Sequence, residues 1–99
     1  MTGVQTCALP IYPGLYRRAL HIESSECHWV NPDEQLTVGQ SRRFLVRIRY
    51  RQPLQWATMH VQQNGAYIVF DEPQRGIAAG QFAAWYLDDR VVGSGVISA

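Results

Sequence analysis

Residues 44–70 have the sequence FLVRIRYRQPLQWATMHVQQNGAYIVF, and this stretch decides the fold. In Phe44–Arg51, apolar residues alternate with residues that are mostly arginine, and this period of two predicts a half-buried strand. Two further runs, residues 56–61 and 66–70, flank Asn64-Gly65. An Asn-Gly pair between such runs predicts a hairpin with a type I′ turn, because both central residues of that turn need positive φ.

Short strands are also predicted on both sides of this stretch. They cover Leu15–Ile22 and Cys27–Val30 upstream, and Phe82–Leu87 and Arg90–Ile97 around a second hairpin turn at Asp88-Asp89. Residues 71–80 contain one proline and two glycines and are predicted to form a long loop. Because no segment carries a helical stripe and turn signals recur roughly every ten residues, we expect an all-β fold, a small antiparallel β-barrel.

The last two predicted strands are apolar on both faces, which predicts burial on two sides. A small barrel has only one interior, so we expect the outer face of Phe82–Leu87 to leave an exposed apolar patch that includes Trp85 or Tyr86. Such a patch would pack on another domain. Gly93-Ser94-Gly95 within the final strand predicts a bulge or a close approach of two backbones.

A length of 99 residues allows one domain with a modest core. With 46% hydrophobic and 17% charged residues, the composition excludes a disordered chain. No run reaches the roughly 18 apolar residues of a membrane span, and two cysteines cannot form a disulfide framework or a four-ligand zinc site. Met1–Ile11 resembles translated adapter sequence, so we expect it to be non-native or disordered and to carry no function.

Charge is unevenly distributed along the chain, whose formal net charge is +1. Gln35–Phe70 holds five arginines and no acidic residue, whereas the remainder holds four arginines and eight acidic residues. A basic middle segment in a nearly neutral chain predicts one face that meets an anionic partner. The chain contains no lysine, and the planar fork of arginine suits phosphate contact and base stacking.

The chain offers few candidates for catalysis or metal binding. Three histidines lie on different predicted strands without the spacing of metal ligands: His21, His28 and His60. Cys27 directly precedes His28, but adjacent strand residues point to opposite faces and do not readily form a nucleophile–base pair. The acidic pairs Asp71-Glu72 and Asp88-Asp89 are expected to be solvated loop residues. On the residues alone, we expect no enzyme, no catalytic residue and no metal site.

The arginine face of Phe44–Arg51 is the clearest functional signal. Along a strand, Arg47, Arg49 and Arg51 would project to one side at intervals of about 6.8 Å, which is similar to the spacing of phosphates along one nucleic-acid strand. Nearby aromatic residues would add stacking surfaces for unpaired bases, namely Tyr50, Trp56 and Tyr67. The alternative is an ordinary solvated barrel face, and the residues alone leave both interpretations open.

Several motifs resemble one protein family in their order and spacing. They are Arg49-Tyr50-Arg51-Gln52, Phe70-Asp71-Glu72-Pro73-Gln74-Arg75, Gly80-Gln81 and Gly93-Ser94-Gly95-Val96-Ile97, with Leu15-Tyr16-Arg17-Arg18 and His28-Trp29-Val30 upstream. The family is that of the bacterial tRNA-specific 2-thiouridylases (MnmA-type), which make 2-thiouridine at the wobble position of tRNA. The resemblance covers residues 12–99 and is to the carboxy-terminal domain of these enzymes.

This resemblance implies a six-stranded β-barrel like the second domain of elongation factor Tu. It also implies tRNA contacts, with Arg49 as a phosphate clamp, Tyr50 as a positioning or stacking group, and Gln81 as an amide that reads RNA. Arg47 and Arg51 would support these contacts. The resemblance further implies that residues 12–25 end a preceding central domain and that residues 26–99 form the barrel.

The family activates uridine with ATP through a Ser-Gly-Gly loop in an amino-terminal domain and carries sulfur on two cysteines. Neither the loop nor cysteines at those positions occur in this sequence. We therefore expect a cytoplasmic tRNA-binding module of a tRNA-uridine 2-sulfurtransferase, inactive by itself and without its own cofactor. The parent enzyme would supply the amino-terminal and central domains, ATP, and a sulfur donor or sulfur-carrier protein.

Two alternatives remain open for function. One is a stand-alone barrel, similar to a translation-factor domain, that binds RNA or protein without serving a modifying enzyme. The other is a small hydrolase, for which the sequence offers only the acidic pairs and Cys27.

Overall fold

The computed structural model describes residues 16–49 and 52–98. Its strands are β1 (Tyr16–Glu23), β2 (His28–Trp29), β3 (Ser41–Arg47), β4 (Gln55–Gln62), β5 (Gly65–Arg75), β6 (Phe82–Leu87) and β7 (Arg90–Val96). Two single-turn 3₁₀ helices, Ser24–Glu26 and Pro32–Glu34, lie on either side of β2. The predicted all-β class is confirmed, with seven strands in the described residues instead of six. None of these residues forms a helix of the length and apolar character required to cross a membrane.

The strands form one antiparallel sheet in the order β1-β5-β4-β3-β6-β7-β2. This sheet curls so that β1 approaches the end of β7. Ser98 donates its backbone N–H to the carbonyl of His21 at 2.8 Å, and a second bond of 2.7 Å joins Ser98 Oγ to His21 Nδ1. These bonds draw the sheet into a partly closed barrel, which leaves less free strand edge than a flat sheet would.

Alternation along the strands produces the core. One side chain in two points inward, and the fully buried apolar residues of the four central strands are Phe44, Val46, Ala57, Met59, Ala66, Ile68, Phe70, Ala83 and Trp85. The indole of Trp85 meets that of Trp29 edge-on, with 5.3 Å between ring centroids. The opposite face of β3 is therefore left on the outside of the barrel.

Both predicted hairpins are present, but the first turn differs from the prediction. Gln62 pairs with Gly65, so the loop residues are Gln63 and Asn64, one position earlier than expected. Gly65 is the residue of this turn with positive φ, at +138°, and the type I′ prediction is wrong. A Cβ on Gly65 would lie 2.1 Å from the carbonyl oxygen of Ile22. The glycine therefore also permits the close approach of β1.

Strand β3 is shorter than the sequence predicted. It ends at Arg47, because β4 starts opposite Val46 and the chain then turns. The backbone N–H of Gln52 donates to the carbonyl of Arg49 at 3.1 Å and closes this turn. Arg49 consequently lies beyond the strand that was expected to carry it.

Strand β5 is longer than predicted, because residues 71–75 are strand and not loop. Gln74 and Arg75 pair with Arg17 and Tyr16 of β1. Pro73 is tolerated because it lies where the register of the β1–β5 ladder shifts, so its missing N–H interrupts no regular pair.

Strand β6 has one buried face, so the expected burial on two sides is wrong. Ala83 and Trp85 lie in the core, whereas Phe82 is 67% exposed and Tyr86 is half-buried on the outside. The expected apolar patch exists on the outer face, where Phe82 is its most exposed member. Trp85, which was one of two candidates for this patch, belongs to the core.

The last hairpin and its glycines agree with prediction. Leu87 pairs with Arg90 across the Asp88-Asp89 turn, and the β6–β7 register shifts between Trp85 and Tyr86, so the extra residue is Val92, directly before the glycine segment that was expected to carry a bulge. A Cβ on Gly93 would lie 2.6 Å from the carbonyl oxygen of His28 and 2.7 Å from the Trp85 ring. These contacts confirm the close backbone approach.

Strand β1 is part of the sheet, and its residues Leu20 and Ile22 are buried in the core. The domain division between residues 25 and 26 stays a prediction. Met1–Ile11 lies outside the described residues, so its assignment also stays a prediction.

Candidate nucleic-acid interface

Two arginines of the basic middle segment meet on the outside of the barrel. Arg47 is the last residue of β3 and lies on its outer face. Arg49 follows in the turn, so the predicted regular strand spacing between these two arginines is wrong. Both nevertheless line one groove, together with Gln81, Phe82, Tyr86 and Ser94. We call this site the outer groove. Tyr50 and Arg51 lie outside the described residues, and their RNA contacts stay predictions.

The outer groove has a volume of about 440 Å³ and a floor of small side chains. Ala84 of β6 pairs with Arg47 on one side and with Ser94 of β7 on the other, so short side chains lie across the middle of the groove. No Asp or Glu is among its lining residues in the described part of the chain. The groove is therefore a positively charged depression with an aromatic wall.

Arg47 is held against that wall. Its Nη2 donates to the hydroxyl of Tyr86 at 3.1 Å, and its guanidinium carbon lies 5.4 Å from the centroid of the Tyr86 ring. A guanidinium over an aromatic face gains cation–π stabilisation and loses rotamer freedom before any ligand arrives. Arg47 is thus oriented in advance at the edge of the groove.

Arg49 is exposed and held in place through a backbone contact. Its Nη2 donates to the carbonyl oxygen of Arg75, the last residue of β5. The turn that carries Arg49 is anchored by Gln52, which accepts from the N–H of Ile48 at 2.9 Å and donates to Gln74 Oε1 at 2.7 Å. Sequence reasoning assigned no role to Gln52 or Gln74, because amides carry no periodicity signal.

Gln81 lines the outer groove with the two arginines, and its RNA contact stays a prediction. Its Oε1 accepts from the backbone N–H of Ala78 at 3.1 Å, and its backbone carbonyl accepts from Ile97 at 2.7 Å. No hydrogen bond of Nε2 occurs within the described residues. The side chain therefore presents the two N–H donors of Nε2 to a ligand, together with the remaining lone pair of Oε1.

Two of the three aromatic residues predicted as stacking surfaces, Trp56 and Tyr67, lie elsewhere. Trp56 is 51% exposed on β4 and carries the Arg43 guanidinium 5.3 Å from its ring centroid. Tyr67 lies against His21, with 4.6 Å between the rings. Neither lines the outer groove. Sequence reasoning missed Phe82 instead, although its place directly after Gln81 at the start of an alternating strand was a usable signal.

Two ion pairs neutralise arginines outside the groove. Arg43 binds Asp71 through two hydrogen bonds of 2.9 and 2.5 Å, and these bonds hold the pKa of Asp71 below its usual range. Arg90 binds Glu34 and lowers the pKa of that carboxyl in the same way. Asp71 is therefore an ion-paired strand residue and not a loop residue. Arg43 offers less net charge to a phosphate than an unpaired arginine would.

Two of the three histidines take structural contacts. His21 binds Ser98 and the carbonyl of Asn64, and His60 Nδ1 lies 2.8 Å from Ser41 Oγ. Within residues 16–49 and 52–98, no three side chains of His, Cys, Asp or Glu converge as a metal-ligand set.

Cys27 is half-buried, and its thiol contacts the carbonyl oxygen of Ile22 at 3.9 Å. Burial raises the pKa of this thiol, and the nearby carboxylate of Glu26 raises it further. Both effects favour the protonated thiol, whereas a nucleophilic cysteine needs the thiolate.

The glycine segment Gly93-Ser94-Gly95 does not form a phosphate-binding loop for ATP, the cofactor that the resemblance implies for the complete enzymes. A phosphate-binding loop needs exposed glycine N–H groups ahead of a helix. Gly93-Ser94-Gly95 instead lies within β7, with Gly93 against His28 and Trp85 and Gly95 against Glu26. This glycine segment serves packing between strands.

Comparison with known proteins gives a consistent family. The sequence model of the aminomethyltransferase beta-barrel domain matches residues 19–97. The tRNA-specific 2-thiouridylase MnmA of Flavobacterium johnsoniae is 55% identical to this chain over 87 residues, and that of Christiangramia forsetii is 51% identical over 87 residues. The protein of the same name from Pseudomonas putida (strain GB-1) is 39% identical over 88 residues.

These alignments cover 88 or 89% of this chain but 22% of each relative, in its C-terminal part. The chain thus spans about a fifth of the length of the relatives it matches.

Proposed function

Because the chain belongs to the aminomethyltransferase beta-barrel domain family, we propose that it is the tRNA-binding C-terminal module of a tRNA-uridine 2-sulfurtransferase. The observation that carries this proposal is the outer groove, where Arg47, Arg49 and Gln81 lie together and no acidic residue lines the described part of the site. The relatives' name supplies the substrate class, tRNA, and the modification, 2-thiolation.

In this proposal the two arginines bind phosphates. Each guanidinium already has an internal contact, to Tyr86 for Arg47 and to the Arg75 carbonyl for Arg49. Each neutralised phosphate releases counterions, so two such contacts contribute roughly 1.4–1.8 to the slope of log K against log salt concentration. Phosphate contacts fix position and carry no sequence information. We therefore expect this module to hold many tRNAs alike.

The rest of the reaction belongs to the part of the relatives that this chain does not cover. ATP, a sulfur donor or sulfur-carrier protein, and the amino-terminal and central domains are proposed partners of the complete enzyme. Location in the cytoplasm is proposed on the same basis. This chain alone is proposed to bind tRNA without modifying it.

The test is a salt titration of binding between the chain and an unmodified tRNA transcript. We expect affinity to fall steeply as salt rises, and Arg49→Ala to lower the slope by about one unit. Gln81→Ala should leave the slope almost unchanged, because an amide releases no counterion.

Arg42→Ala is the matched control for this titration. It removes the same charge from the start of β3, and Arg42 does not line the outer groove. Arg42 and Arg47 are five strand steps apart, about 17 Å, which exceeds the Debye length of about 8 Å at physiological salt. Equal slopes for the wild type, Arg42→Ala and Arg49→Ala would contradict the proposal.

A further inference from the structure

Phe82 is an exposed ring in the wall of a charged groove. It begins β6, lies 67% exposed, and directly follows Gln81. No ring pair or cation–π contact of Phe82 occurs within the described residues, whereas Tyr86 is already covered by Arg47. Exposure of this apolar ring to water beside two arginines is unfavourable for the chain in solution, and the ring does not contribute to the core.

The space beside this ring suits a flat group. Ala84 and Ser94 form the floor between Phe82 and Tyr86, so no long side chain fills the middle of the outer groove. Arg49 and Phe82 each lie two residues beyond the Arg47–Ala84 pair, at the same end of the site. The volume of about 440 Å³ falls within the roughly 300–1,000 Å³ of small-molecule sites.

We propose that the outer groove receives one unstacked nucleotide of a tRNA, whose base lies on the ring of Phe82 and whose adjoining phosphates contact Arg47 and Arg49. This inference rests on the proposed function and names the part of the tRNA that the outer groove binds, an unstacked nucleotide. Sequence-tolerant binding of unpaired bases uses this combination of an aromatic ring and basic side chains.

Gln81 favours one kind of base edge over another. Its Oε1 already accepts from the Ala78 N–H and keeps one further lone pair, whereas the two N–H donors of Nε2 have no partner within the described residues. A donor pairs with an acceptor on the base, such as a carbonyl oxygen or an unprotonated ring nitrogen, and not with an exocyclic amine. The site therefore favours a base edge that presents an acceptor.

The test compares an unmodified tRNA transcript with a blunt, fully paired RNA duplex. Stacking of a base on an aromatic side chain is worth about 1–3 kcal/mol, so Phe82→Ala should weaken tRNA binding by about 5- to 150-fold. The salt slope should not change, because no charge is lost. Binding of the duplex, which offers no unstacked base, should be the same for both proteins.

Two further variants separate stacking from general effects. Phe82→Leu keeps an apolar side chain but lacks a π-face, so it should lose as much tRNA affinity as Phe82→Ala. Trp56→Ala removes an exposed aromatic residue that does not line the groove, so it should bind tRNA as the wild type does. Thermal melts check that all three variants fold.

The outcomes distinguish this inference from the proposed function. If tRNA binds and Arg49→Ala lowers the salt slope while Phe82→Ala binds normally, the nucleotide site is wrong and tRNA binding stands. Equal weakening of tRNA and duplex binding by Phe82→Ala also overturns the nucleotide site. Absence of tRNA binding by the wild-type chain overturns both, and the groove would then be a surface for protein.

Discussion

Gln52 Nε2 donates a hydrogen bond of 2.7 Å to Oε1 of Gln74, whose side chain is 6% exposed. The same Gln52 side chain accepts from the N–H of Ile48, so it joins the end of β3 to β5. Gln74 Nε2 in turn donates to the carbonyl of Glu72 at 2.9 Å. This amide network fixes the turn from which Arg49 projects.

Gln52→Ala should therefore affect both stability and binding. It leaves the buried Oε1 of Gln74 without this donor, which costs about 1–3 kcal/mol in the free energy of unfolding. It also releases the turn at Arg49, so the tRNA affinity of this variant should fall by more than that of a variant in which an exposed glutamine is replaced. Urea unfolding and tRNA titration measure the two effects, with Gln62→Ala, an exposed amide of β4, as the control.

A double variant tests whether Gln52 acts through Gln74. In Gln52→Ala/Gln74→Leu the buried acceptor is gone, so unfolding free energy should recover part of the loss. Strictly additive losses from the two single substitutions would show that the amides do not act as one network.

The sequence predicted the parts of this fold that alternate. Phe44–Val46 and Ala57–Met59 show period-two burial, and both hairpins follow from turn residues between apolar runs. The prediction failed where the local sequence pattern disagrees with the way the strands pair in the sheet. β3 ends at Arg47 because β4 begins at Gln55, opposite Val46, and β5 continues past Pro73 because β1 pairs beyond it.

The site was predicted less completely than the fold. The resemblance placed Arg49 and Gln81, and the structure brings both to one groove with Arg47. The anchoring amides were missed because their roles depend on contacts between residues distant in sequence, whereas Phe82 was missed although its place directly after Gln81 was a usable signal. Tyr50 and Arg51 lie outside the described residues.

The Arg43–Asp71 pair predicts a pH dependence of stability. Its hydrogen bonds lower the folded-state pKa of Asp71 below the unfolded value of about 3.9. A lowered pKa stabilises the folded chain above the unfolded pKa, and this contribution is lost as pH falls through the folded pKa. Asp71→Asn should lower the urea midpoint at pH 7 and give a shallower acid limb.

Asp89→Asn is the control for this pH series, because Asp89 is an exposed acid of a hairpin turn without an ion pair in the described residues. The wild-type and Asp71→Asn curves should converge near pH 2. Parallel curves from pH 7 to pH 2 would show that the ion pair does not contribute.

Cys27 should react slowly in the folded chain. Burial raises the pKa of its thiol and the Glu26 carboxylate adds to the shift, so less thiolate is present at pH 8 than in the unfolded chain. In a Cys7→Ser background, iodoacetamide should label Cys27 more slowly without urea than with it. Equal rates would mean that Cys27 is open to solvent.

Gly65→Ala should destabilise the barrel strongly. Gly65 combines a φ of +138° with a carbonyl oxygen of Ile22 at 2.1 Å from any added Cβ, and a backbone atom of β1 cannot move aside without breaking the β1–β5 ladder. We expect a loss of about 3 kcal/mol in the free energy of unfolding. Gly39 also has positive φ, +92°, but an added Cβ would meet nothing within 4 Å. Gly39→Ala should therefore lose only about 1 kcal/mol, the cost of the backbone conformation alone. Urea unfolding of both variants measures the difference, and equal losses would show that β1 does not press on Gly65.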